Sequence, residues 1–248
     1  MQTIAKTFHL PKHGSSDAEY EDACNIDTNR KRFAIADGAT EASYSGAWAK
    51  QLVRAFTKGQ LSIPITLEEL VPLQTRWQKN IAHRHPLPWY AEEKINNGAF
   101  AAFVGIEFSH QNLDTGAQNI WRATAAGDSC LVQMRGEEMI RAFPLDCSAS
   151  FNNRPNLISS SPASNATIPD LMIHCTGSWG CKDTFFLMTD ALACWFLREQ
   201  EFRNKPWIPL KVLETRDGVA FKTFVTDLRA REQMKNDDVT LIRIDINP

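Results

Sequence analysis

The chain has 248 residues, of which 43% are hydrophobic and 23% charged, with a formal net charge of −2. That length buries a sizeable core, and the near-neutral balance excludes a nucleic-acid binder driven by bulk charge. No run of about 18 apolar residues occurs, so no membrane-spanning helix is expected. The stretch Met1 to Leu10 also lacks the continuous apolar core of a signal peptide. The six cysteines make no CxxC pair and read as reduced thiols, the expectation for a cytoplasmic protein. One domain spanning 1–248 is expected.

Thr3 to Leu10, Asp22 to Asp27 and Arg32 to Ala36 read as short strands, the last ending at Asp37-Gly38. A helix should follow, capped by Ser43 or Ser45, with Trp48, Leu52, Ala55 and Phe56 on one face. Leu67 to Asn80 and Trp89 to Ile95 look helical, separated by Pro86 and Pro88. His83, Arg84 and His85 read as a surface turn. Gly98 to Phe108 and Ile120 to Met134 are strand candidates, the second interrupted near Gly127. Glu138 to Phe143 is another.

Ser148 to Ala166, rich in Ser, Asn and Pro, reads as a long loop. His174, Cys175 and Cys181 lack paired spacing and a fourth ligand, so they make a poor zinc site. Thr184 to Thr189 reads as an apolar strand running into Asp190, with a helix from Ala191 to Arg198. Trp195 and Phe196 in that helix read as core. Phe221, Phe224, Val225 and Leu228 mark a last helix. Val239 to Ile246 is a terminal strand whose Thr240, Ile242, Ile244 and Ile246 face is expected to be the core face. Helices come in groups between runs of strands. That pattern argues for antiparallel sheets with helices packed outside. No Gly-rich phosphate loop is present.

Five aspartates share one local setting, a strand end or a turn: Asp22, Asp37, Asp128, Asp190 and Asp237. Strand ends from different parts of a sheet can converge, and carboxylates gathered out of water need a positive partner. Oxygen donors without His or Cys suit hard cations such as Mg²⁺ or Mn²⁺. Gly38 lets its backbone come close to such an ion. Each Asp alone reads as an ordinary turn residue; the five in this order are far more specific.

With these residues the sequence resembles the PPM family, the metal-dependent type 2C serine/threonine phosphatases. The resemblance is carried by Glu21-Asp22-Ala23, Phe33-Ala34-Ile35-Ala36-Asp37-Gly38 and Ala126-Gly127-Asp128-Ser129. It continues in Phe186-Leu187-Met188-Thr189-Asp190 and Asn236-Asp237-Asp238-Val239-Thr240-Leu241-Ile242, so that it runs from about Lys12 to Ile244. It implies an α+β fold, a four-layer α-β-β-α sandwich of two antiparallel sheets with flanking helix pairs.

The resemblance also implies two Mg²⁺ or Mn²⁺ ions. Asp37, Asp190 and Asp237 would be the direct, catalytic ligands, with the Gly38 carbonyl. Glu21 and Asp22 would hold bound waters, and Asp128 would help hold a third, weaker ion. Two ions roughly 3.5–4 Å apart can activate a shared water for in-line attack on phosphorus. The implied partners are a phosphorylated protein and the serine/threonine kinase it opposes.

Three positions depart from the family pattern. The family's phosphate-binding arginine, five residues before Asp22, would stand where this chain has Asp17; Lys12 or His13 near Gly14 are the candidate replacements. Ala191 stands where a glycine is usual, and Ala39-Thr40-Glu41 follow Gly38 in place of further glycines. The stretch from Ser148 to Gly180 corresponds to a flap beside the active site. The departures keep open a pseudophosphatase, the same fold binding a phosphoprotein without turnover, and a phosphatase for a small phosphoester.

Overall fold

The structure, a computed structural model, describes residues 2–39, 44–82, 98–113, 116–152, 155–165, 172–214 and 218–247. The expected helix from Trp89 to Ile95, the turn at His83 to His85, and Ser43 lie outside them.

Two antiparallel sheets form the centre. The first contains β1 (Gln2–Leu10), β11 (Val239–Asn247), β10 (Asp183–Met188), β6 (Cys130–Arg135) and β7 (Glu138–Phe143), in that order. The second runs β2 (Ala23–Asp27), β3 (Arg32–Gly38), β4 (Phe100–Leu113), β5 (Gly116–Ala126) and β9 (Ile173–Ser178), with the two-residue β8 (Ile158–Ser159) paired to β4. Between the sheets lies a core drawn from both. Phe33, Ile35, Val104 and Ile106 of the second sheet meet Leu131, Phe185, Ile242 and Ile244 of the first. Such a face-to-face core follows from strands whose alternate side chains are apolar.

Helices α1 (Ser45–Thr57) and α2 (Leu67–Ala82) cover the outer face of the second sheet. Trp48, Leu52, Ala55 and Phe56 are all buried there, the stripe expected from their spacing. Helices α3 (Asp190–Glu201), α4 (Trp207–Lys211) and α5 (Val219–Ala230) cover the outer face of the first sheet, where Trp195, Phe196, Phe221 and Val225 are buried. The four layers of an α-β-β-α sandwich are therefore present.

Several expectations need correction. Ser45 is not a cap: it lies in the first turn of α1 behind Tyr44, which has positive φ, and its hydroxyl donates to Glu21 Oε1 at 2.6 Å. The break expected near Gly127 in Ile120 to Met134 is present, with φ +87° at Gly127, but the two halves, β5 and β6, belong to different sheets instead of forming one interrupted strand. Both faces of β11 are buried, not the isoleucine face alone. Ile242, Ile244 and Ile246 enter the inter-sheet core, while Val239 and Leu241 pack under the helices. A strand in the middle of a four-layer stack has no solvent face. Strand β9 crosses the stretch expected to be a flap, and α4 has no counterpart in the sequence reading.

Candidate active site

The site lies at one end of the two sheets, where five connections meet. Ala23 pairs with Ala36 across β2 and β3, so the chain entering β2 carries Asp22 beside Asp37 at the end of β3. Met188 pairs with Cys130 and with Leu241. Continuing that register past the strand ends brings Asp190, the first residue of α3, toward Asp128 in the β5–β6 turn and toward the turn that precedes β11. Asp237 lies in that turn. Residues from both sheets thus share one rim, although up to 215 positions separate them in the chain.

The electrostatics show the convergence. Burial pushes the Asp37 carboxyl well above the usual carboxylate range, and Asp22, Asp190, Asp128 and Asp237 push it further. Asp22 is pushed up to about 8, by burial first and then by Asp238 and Asp190. Asp128 is pushed up to about 6 by burial and by Asp190. Asp190 is raised by burial and by Asp237, while Lys235 and the Ala191 N–H pull it back.

The hydrogen bonds explain how the rim is held. The Thr240 hydroxyl donates to Asp22 Oδ2 at 2.7 Å, tying the start of β2 to β11 of the other sheet. Tyr20 Oη is hydrogen-bonded to the same Thr240 hydroxyl. The Thr240 N–H donates to Thr189 Oγ1 at 2.9 Å, next to Asp190. Asp238, 5% exposed, accepts the Lys12 N–H on Oδ1 and the Glu21 N–H on Oδ2, both at 2.8 Å. Arg229 of α5 donates to the carbonyls of Pro11 and Asp237 at 3.0 and 2.5 Å. The N-terminal segment is therefore pinned against the turn that carries Asp237. Gly38 is needed by close approach: a Cβ there would lie 2.8 Å from both the Glu21 carbonyl oxygen and the Ser45 carbonyl carbon.

Of the residues singled out from sequence, the structure brings Glu21, Asp22, Asp37, Gly38, Asp128, Asp190 and Asp237 to this rim. Lys12 lies beside it, with Nζ 3.9 Å from Glu21 Oε2. His13 is held through its backbone, its N–H donating to Asn236 Oδ1 at 2.7 Å. Asp17 is exposed on the short 3₁₀ turn Asp17–Glu19. Residues of the rim with no role from sequence include Asp238, Thr240, Arg229, Lys235, Tyr20 and Thr189. Asp238 and Thr240 stand in the last motif, where an acid pair followed by a β-branched hydroxyl is a usable signal. Arg229 and Lys235 act through tertiary contacts and left no local pattern.

The donors suit a hard divalent cation. All are oxygens, Asp22 Oδ1 is buried with no partner, and the clustered carboxylates repel one another. Among the described residues, no three His, Cys, Asp or Glu side chains yet close on a common point. Instead the Lys235 ammonium stands 2.6 Å from Asp237 Oδ2 and 3.6 Å from Asp190 Oδ2. A pocket of about 200 Å³ opens beside it, lined among others by Asp128, Asp190, Arg198 and Lys235.

This architecture is the fold of the PPM serine/threonine phosphatases. The serine/threonine phosphatase PstP/Ppp of Mycobacterium tuberculosis superposes with a TM-score of 0.61 at 14% identity, covering 100% of each chain. A serine/threonine phosphatase of Staphylococcus aureus gives 0.62 at 13% identity, covering 100% of this chain and 96% of its own. PstP has also been solved with two manganese ions, and that structure matches at 0.58 and 14% identity over 100% of each chain. No family model matches the sequence, and no curated protein matches it. At these identities the likeness is one of fold.

Proposed function

We propose that this protein is a divalent-metal-dependent phosphatase that hydrolyses phosphoserine and phosphothreonine on proteins. The observation that carries the reading is the convergence of Asp22, Asp37, Asp128, Asp190 and Asp237 on one rim of a PPM-type sandwich. In this reading Asp37, Asp190, Asp237 and the Gly38 carbonyl would hold two Mg²⁺ or Mn²⁺ ions, Glu21 and Asp22 would orient water there, and Asp128 would serve a third ion. Such ions, when bound, lower the pKa of water and neutralise charge on a phosphoryl group.

The chain's own contribution is positioning. Thr240 fixes the Asp22 carboxylate through Oδ2 and leaves Oδ1 buried without a partner. Asp238 and Arg229 hold the Asp237 turn against the segment bearing Lys12, whose ammonium, 3.9 Å from Glu21 Oε2, is the candidate cation for a substrate phosphate. A cytoplasmic setting and a partner kinase belong to the same reading. The bound manganese of the PstP structure and the phosphatase names of the similar structures support it.

Hydrolysis of a phosphothreonine peptide in Mn²⁺ tests this, with Asp37→Ala and Asp190→Ala as variants. Loss of at least about a hundredfold in kcat/KM in both, with unchanged circular dichroism, is expected. Turnover that ignores metal or survives both substitutions sinks the reading. One observation favours a second one, a pseudophosphatase that binds phosphoproteins: the exposed acid Asp17 occupies the sequence position, five before Asp22, at which the family carries its phosphate-binding arginine. Wild-type protein that binds Mn²⁺ and phosphopeptide but turns nothing over would establish that alternative.

A further inference from the structure

Lys235 has no counterpart in the chemistry assigned above. It sits in the turn between α5 and β11, two residues before Asp237. That turn is held at both ends: Arg198 donates to the Gln233 carbonyl, and Arg229 donates to the Asp237 carbonyl. The backbone is thus fixed, whereas the lysine side chain is 64% exposed and can leave by rotation alone. Its ammonium lies between Asp190 Oδ2 at 3.6 Å and Asp237 Oδ2 at 2.6 Å, carboxylates from two separate elements. It also lines the pocket that reaches Asp128. A monovalent ammonium therefore stands where carboxylates of the site demand positive charge.

We propose that Lys235 is a tethered competing cation of the metal site, whose ammonium neutralises Asp190 and Asp237 and must be displaced before a divalent ion can use them. The proposal rests on the metal-site reading of the preceding subsection. An oxygen cannot hold an ammonium at hydrogen-bonding distance and a divalent ion at once without bringing the two positive charges together, and their repulsion is strong at such separations. Lys235 thereby weakens metal binding and gives the metal-free protein a counter-charge. The displaced ammonium would remain tethered beside Asp128 and Arg198, on the rim of the same pocket.

Calorimetric titration of Mn²⁺ into wild type, Lys235→Gln and Lys235→Arg tests this without reference to turnover. Lys50→Gln serves as a control: Lys50 lines a pocket with Glu21 but, among the described residues, makes no ion pair with carboxylates of the site. Lys235→Gln should bind Mn²⁺ roughly fivefold tighter, the effect of removing one largely exposed charge pair. Lys235→Arg should stay within about twofold of wild type, because it keeps the charge. Lys50→Gln should leave the affinity unchanged. Equal or weaker Mn²⁺ binding by Lys235→Gln, with wild type binding normally, overturns the assignment of Lys235 and leaves the metal-site reading standing. Equal tightening in Lys50→Gln also overturns it, since bulk charge would then suffice. No Mn²⁺ bound by any of the four proteins overturns both readings.

Discussion

Asp37, half-buried, and Asp238, buried, show two opposite uses of a carboxyl. Asp37 faces four other acids and carries repulsion. Asp238 accepts two backbone N–H groups and carries structure. Their substitutions should therefore act in opposite directions. Asp37→Asn removes a repulsion, so the metal-free protein should melt several degrees higher while activity collapses, the usual trade between a site and its scaffold. A melting curve beside an activity assay measures both. Asp238→Ala leaves the Lys12 and Glu21 amides without their acceptor and should cost about 2–3 kcal/mol by urea denaturation. Asp238→Asn keeps one acceptor oxygen and should cost less. If Asp238→Ala proved neutral, the pinning of the N-terminal segment would have to be assigned elsewhere.

The elements decide how close the chain can come to itself. At Gly38 the end of β3 passes between the Glu21 backbone and the start of α1, and an added Cβ would meet backbone atoms at 2.8 Å, with Gly46 N at 3.0 Å. Backbone cannot rotate away as a side chain can. Gly38→Ala should therefore destabilise by about 1–3 kcal/mol and shift Asp37 relative to Glu21. Denaturation together with Mn²⁺ titration reads both effects; unchanged stability would mean that β3 and α1 separate more easily than their packing suggests. At Gly127 the turn between β5 and β6 moves the chain from one sheet to the other with a positive φ, and a Cβ would lie 2.6 Å from Ala102 Cβ. That crossover brings Asp128 to the rim. The sequence marks the interruption at Gly127, but nothing local says that the two flanking strands belong to different sheets. Such pairing is set by contacts far apart in the chain.

At the scale of the whole molecule the acids make stability depend on pH and metal together. Asp22, at about 8, and Asp128, at about 6, bind protons more tightly folded than unfolded, where an ordinary Asp titrates near 3.8. Between those limits the folded state holds more protons than the unfolded state, so stability falls as pH rises. The metal-free protein should lose melting temperature from about pH 4 to pH 8, Asp128 contributing up to about pH 6 and Asp22 up to about pH 8. Saturating Mn²⁺ should raise the melting temperature most at pH 8, because a cation binds the ionised carboxylates of the folded state. The difference between loaded and metal-free curves removes the contribution of the histidines. A metal-induced rise that did not grow with pH would argue that these carboxyls do not share one site.

The sequence alone determined the elements whose cause is local. The apolar stripe of α1, the strand character of β3 and β10, and the ordered set of five aspartates all arise from neighbours a few residues apart. From them antiparallel sheets with helices packed outside were legible, since periodicity and turn chemistry act over single turns and strand ends; the four-layer sandwich and the candidate ligand set came from the resemblance to the PPM family. Other features were decided only in three dimensions. The Ser45 hydroxyl turned to Glu21 instead of capping a helix. Both faces of β11 became buried because helices cover one and the second sheet covers the other. Lys235 reached across to Asp190, and Asp238 clasped a segment more than 200 residues away. Each of these depends on which distant segment arrives beside a side chain, and burial then makes charge and hydrogen-bond partners count far more than they do in water.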